Sequence, residues 1–147
     1  MNYKRAAEEE LRQYADVRAS LMNTRERIAM LEDAITSIKA ATVSSTPVIG
    51  SGNQYESRLL DNIVERDRLK ELYKVNLRRI KLIERGLQAL TEDERKIINR
   101  FFVQNMASEA AVVTLMDETG YERAQIYRIR SRALYRYTLA EFGLPEL

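Results

Sequence analysis

A chain of 147 residues has room for one domain, or a small domain with an extension, and not for a large enzyme. Hydrophobic residues make up 45% and charged residues 31%, which excludes a wholly disordered chain and suits helices with one apolar stripe. The net charge of +2 is too small to point to a nucleic-acid partner, so the placement of the charges has to decide that question.

Only five glycines and two prolines punctuate the sequence, so turns are few and long helices are expected: the fold class is all-α. Residues 3–42 repeat apolar side chains every seven positions. Tyr14, Leu21, Ile28 and Ile35 form one row and Val17, Leu31 and Ile38 the second, with Thr24 as a polar interruption. A helix that long needs a partner. Residues 43–53 hold a proline, two glycines and three serines and read as a loop. A second helix is expected from about Tyr55 to Leu87, with Leu59, Ile63, Leu69, Tyr73, Leu77, Ile80, Ile83 and Leu87 in a less regular stripe. The two can fold back as a long helical hairpin, helix one can pair with a second copy, or both can hold; a homo-oligomer, a dimer above all, is expected.

Gly86 lies near the end of that stripe, and Thr91 followed by Glu94 has the spacing of a capping box that starts a new helix. Ile97, Ile98, Phe101 and Phe102 pack one side of it into a small core, and residues 104–107 read as a break. Ser108 is expected to cap the next helix, with Glu109 in its first turn, through Val112, Val113, Leu115 and Met116 to a stop at Gly120. The last helix runs from about Glu122 to Glu141, ahead of Gly143 and Pro145. The chain thus divides into a helical hairpin, residues 1–89, and a three-helix domain, residues 90–147.

Around Gly120, Leu115, Tyr121, Ile126 and Ile129 fall where a helix-turn-helix makes its core contacts. Met116 is larger than the small residue such a crossing prefers, and Thr119 more polar than its usual occupant. Between residues 123 and 136 stand Arg123, Arg128, Arg130, Arg132 and Arg136 with no acidic residue among them. With Ile126 and Ile129 facing inward, the helical period turns Arg123, Gln125, Tyr127 and Arg128 outward at the end that enters the major groove. Arg123, Gln125 and Arg128 are candidate base readers, and Tyr127 a contact to phosphate or a thymine methyl. Arg130, Arg132 and Arg136 are expected to meet phosphates or carboxylates of the same protein. The expected partner is double-stranded DNA.

Residues 90–134, with LTEDERKIINRFF followed by GYERAQIYRIRSRAL, resemble the helix-turn-helix of bacterial sigma-factor region 4. They are also similar to phage late-gene regulators of the ArpU and RinA type. The resemblance implies core positions at Ile126, Ile129, Ala133 and Leu134, and DNA-facing ones at Arg123, Ala124, Gln125, Tyr127 and Arg128. Ala124 departs from the acidic base reader often found there, so recognition of the promoter −35 element does not carry over.

The chain has no histidine and no cysteine, which removes the commonest general base, the strongest nucleophile and thiolate metal ligands. Glu92, Asp93 and Glu94 are better explained by a helix start than by a metal. Neither enzyme activity nor a cofactor or metal is expected. With no run of about 20 apolar residues there is no membrane partner, and a cytoplasmic protein is expected. The function expected is a sequence-specific transcriptional regulator of phage or prophage late genes, possible contact with host RNA polymerase included. The alternatives are a DNA-packaging component resembling a small terminase subunit, or a structural coiled-coil adaptor.

Overall fold

The computed structural model describes residues 2–44 and 52–143, and every described element is helical. In order these are α1 (Tyr3–Ser44), α2 (Gly52–Gln88), α3 (Glu92–Ile98), a π-helical segment (Asn99–Val103), α4 (Ser108–Thr119) and α5 (Arg123–Phe142). A long helix pair followed by shorter helices is the architecture read from the sequence. Of the loop expected at 43–53, α1 takes the first two residues and α2 begins at Gly52; residues 45–51 lie outside the described residues, as does Pro145. No described helix is long and apolar enough to cross a membrane.

Two compact units emerge, residues 19–77 and residues 1–18 with 78–147. In the first, α1 buries or half-buries Leu21, Thr24, Ile28, Leu31, Ile35 and Ile38, the alternating three- and four-residue step of a heptad seam. Thr24 is tolerated there because its hydroxyl donates to the Ser20 carbonyl at 2.8 Å. The α2 seam is as regular, through Tyr55, Leu59, Asn62, Arg66, Leu69, Tyr73 and Asn76. It looked irregular in sequence because Asn62, Arg66 and Asn76 fill seam positions with polar side chains. Lys70 and Glu32 join the two helices through an ion pair at 3.0 Å.

The second unit carries the main core. Ile97, Ile98, Phe101, Phe102, Ala111, Val112, Leu115, Ile126, Ile129, Ala133, Leu134 and Tyr137 are buried together with Ala7 and Leu11 of α1 and Ile83 and Leu87 of α2. This unit therefore extends past the boundary expected at residue 90. Tyr14 donates its hydroxyl to Glu84 at 2.9 Å, and the rings of Tyr3 and Phe142 meet at 5.4 Å, fixing the start of α1 to the ends of α2 and α5. Partial burial, followed by the bond to Glu84, raises the Tyr14 pKa.

The helix starts and stops are local. Thr91 accepts from the Glu94 amide at 3.3 Å, and the Glu94 carboxylate accepts from the Thr91 amide at 3.2 Å, so the capping box forms. Ser108 does not cap α4: Ala107 occupies the cap position without a side-chain bond, and Ser108 is the first helical residue. Helix α3 passes into a wider turn, in which the Gln104 amide donates to the Asn99 carbonyl five residues back at 2.7 Å. Asn105, with φ 50°, ends that turn in the left-handed region that asparagine tolerates.

Two features of this unit set measurable costs. A Cβ at Gly86 would stand 2.7 Å from Cε2 of Tyr137, whose ring is fully buried. Alanine in mid-helix ordinarily gains about 1 kcal/mol over glycine; Gly86→Ala is expected instead to lose roughly 1–3 kcal/mol by overpacking, read from urea denaturation.

Glu10 of α1 and Glu141 of α5 each bury a carboxyl oxygen beside the Tyr137 hydroxyl. Burial first, then the neighbouring carboxyl of Glu10, pushes Glu141 from an ordinary 4.5 up to about 8, against the pull of Arg79. The folded state holds this proton more tightly than the unfolded chain. Its stabilisation is thus complete below 4.5 and lost as pH rises to about 8. Denaturation between those limits is expected to show falling stability, with a slope of at most about 1.4 kcal/mol per pH unit from this group, and Glu141→Gln to flatten it.

Candidate nucleic-acid interface

Helices α4 and α5 are joined through Gly120, whose φ of 75° and ψ of 2° place it in the left-handed region open to glycine at no cost. Gly120 donates back to the Met116 carbonyl at 2.9 Å. Thr119, more polar than this position usually is, has a local use: its hydroxyl donates to the Leu115 carbonyl at 2.6 Å and accepts from the Tyr121 amide at 3.2 Å. Tyr121 then donates its hydroxyl to Asp93 of α3 at 2.7 Å, a bond that raises its pKa. The turn is anchored to two helices. Met116 is exposed, and the buried positions of α4 are Ala111, Val112 and Leu115.

The inward side of α5 is Ile126, Ile129, Ala133, Leu134, Tyr137 and Thr138, all buried. Its period leaves Arg123, Ala124, Gln125, Tyr127, Arg128 and Arg132 outward and Arg130 half-buried. The six residues singled out by sequence do not share one environment. Gln125, Arg128 and Arg132 lie along one line of the helix, and among the described residues no carboxylate forms an ion pair with either arginine. Arg128 makes only a long 3.4 Å bond from Nε to the Ala124 carbonyl of its own helix.

The others are committed elsewhere. Arg123 forms a two-pronged bond with Glu109 of α4, both contacts at 2.8 Å, which lowers the Glu109 pKa and links the two helices at the turn through an exposed pair. Arg130 lies over the rings of Phe101 at 4.6 Å, Phe102 at 5.2 Å and Tyr127 at 5.8 Å. Tyr127, 37% exposed, packs its ring against Phe101 at 6.0 Å, so only part of it faces solvent.

Arg136 meets a protein carboxylate, one of the two fates expected for it: Nη1 donates to Glu94 at 2.7 Å. Glu94 is 1% exposed and one of its oxygens, Oε2, finds no hydrogen-bond partner, so Arg136 supplies the countercharge for a buried carboxylate. Sequence spacing located Glu94 as a cap and could not locate this partner 42 residues away. Arg95 was missed altogether. It donates to the carbonyl of Leu87 in the last turn of α2 and to that of Leu90 between α2 and α3, both at 3.1 Å. Arg100 likewise pairs with Glu118 of α4 and Gln104.

What remains is a short basic and amide face beside the Gly120 turn between α4 and α5, able to donate hydrogen bonds and to neutralise anions. Among the described residues no group of three or more acidic, histidine or cysteine side chains is arranged to hold a metal. Comparison with protein-family models, with curated proteins and with solved structures gives no match.

Proposed function

We propose that this protein is a sequence-specific regulator of transcription that binds duplex DNA through the outer face of α5, of the phage late-gene kind its helix-turn-helix resembles. The observation that carries the reading is the coincidence on one helix of a buried line, Ile126 and Ile129, with an exposed line, Gln125, Arg128 and Arg132, directly after the Gly120 turn. In such a unit the first turns of the second helix enter the major groove. Gln125 has the two-atom fork that matches adenine and Arg128 the fork that matches guanine. Arg132, one to two turns farther along, is suited to phosphate.

Arg123 has a different part in this reading. Its fork is filled by Glu109 across an exposed ion pair, so it reads a base only where that pair opens. Arg130 stiffens the helix against Phe101 and Phe102 and is shielded from the groove. Two copies acting together would match a two-fold operator, since helix-turn-helix dimers read half-sites about one helical turn apart. The long helix pair then serves assembly or a protein partner such as host RNA polymerase. Assembly into a ring of eight or more subunits would favour DNA packaging instead.

Binding to sequences selected from random duplex DNA tests the reading. Arg128→Ala is expected to weaken binding by roughly 1–3 kcal/mol and to relax preference at one base position. Arg132→Ala is expected to weaken all sequences alike and to lower the slope of log K against log salt by about 1. No binding by the parent at low salt, or equal binding by both variants, contradicts it.

A further inference from the structure

The outer face of α2 in the unit of residues 19–77 is apolar where a solvated helix should be polar. Leu60 and Val64 are each 61% exposed, Val75 46% and Leu72 40%. Val64, Arg68, Glu71 and Val75 follow steps of four, three and four, so they form one line along the helix. That line is displaced by two residues, about 200° of turn, from the seam Asn62, Arg66, Leu69 and Tyr73. It is a second heptad stripe, pointing away from the one that α1 covers.

We propose that α2 pairs antiparallel with α2 of a second copy of this chain, about a two-fold axis passing between Leu69 and Lys70. In this register Val64 of each copy faces Val75 of the other, and Arg68 of each faces Glu71 of the other, so along this line apolar meets apolar and each charge its opposite. At the flank Asp67 falls across from Lys74. Charge selects this register over its competitors. Parallel pairing sets Arg68 on Arg68 and Glu71 on Glu71; an antiparallel slip of one heptad sets Val64 against Arg68 in one direction and Arg68 against Arg78 in the other.

Shape agrees with charge. A groove of about 520 Å³ runs beside the stripe, lined by Met30, Leu31 and Ala34 of α1 and Glu65, Arg68 and Leu69 of α2. The register brings Leu72 of the second copy next to Glu65, at the mouth of this groove. Arg68 also holds Glu65 of its own helix through two bonds, at 2.7 and 3.0 Å, but that pair is solvent-exposed and of the kind that holds little energy.

The pairing deepens the homo-oligomer part of the proposed function and needs no DNA, so a failed DNA assay and a failed dimer assay remain separate results. The chain lacks cysteine, which makes thiol cross-linking clean. Val64→Cys and Val75→Cys proteins, mixed and oxidised, are expected to join 64 to 75. Each alone is expected to stay uncross-linked, because its two thiols sit 11 residues, about 16 Å, apart along the pair, beyond the roughly 7 Å reach of a disulfide. In sedimentation of the full chain, Glu71→Arg is expected to weaken dimerisation by at least about tenfold and the double variant Arg68→Glu/Glu71→Arg to restore most of it. A helical circular dichroism spectrum equal to the parent's checks that each variant folds. A monomer at all concentrations, a 64–64 cross-link, or no rescue by the double variant overturns the proposal.

Discussion

Helices α3 to α5 close their core only with the ends of the two long helices, and that constraint organises the unit around them. Helices α3 to α5 amount to some 50 residues with their turns, a size at which burial barely exceeds the entropy of folding. Ala7 and Leu11 from the start of α1, and Ile83 and Leu87 from the end of α2, supply the missing wall. The closure is tightest where the backbone of Gly86 lies against the ring of Tyr137, an approach that leaves no room for a Cβ. Arg95 ties α3 to the same region by donating to the carbonyl of Leu87, in the last turn of α2, and to that of Leu90 just after it.

A core fixed in this way sorts the basic residues. Most arginines of the unit have a structural partner: Arg136 neutralises the buried Glu94, Arg100 pairs with Glu118, Arg123 with Glu109, and Arg130 covers a phenylalanine pair. A net charge of +2 therefore says little about the local surface, because partnered and unpartnered cations count alike in it. After the internal partners are assigned, Gln125, Arg128 and Arg132 remain as a donor line on α5, oriented by Ile126 and Ile129 beneath it. The functional reading rests on this residue of uncommitted chemistry rather than on arginine content.

What the sequence made legible was local. The Thr91–Glu94 box, the left-handed Gly120, the seven-residue rows of α1 and the inward pair Ile126 and Ile129 are all fixed by interactions within a few residues, and each formed as spacing implied. The parts that escaped depend on distant segments. The α2 seam was obscured because Asn62, Arg66 and Asn76 occupy heptad positions that a hydrophobic pattern leaves blank. The π-helical turn at Asn99–Val103 has no short-range signal. Ala7 and Leu11 stand ahead of the heptad rows, where spacing assigned them no partner, and belong to the core. The six candidate DNA contacts lie on α5, mostly facing outward, but spacing along one helix could not foresee Glu109 or Phe101 waiting on another. Ser108 illustrates the opposite case, a good capping residue set one position too far into its helix.

The central claim is that α5 meets nucleic acid through its outer first turns. Amide hydrogen exchange of the full chain, with and without duplex DNA selected for binding, tests this most directly. The account expects added protection concentrated in the turn at Gly120 and the first two to three turns of α5, with residues 60–75 unchanged at fixed protein concentration. Protection confined to α1 or α2, or none anywhere at low salt, would contradict it.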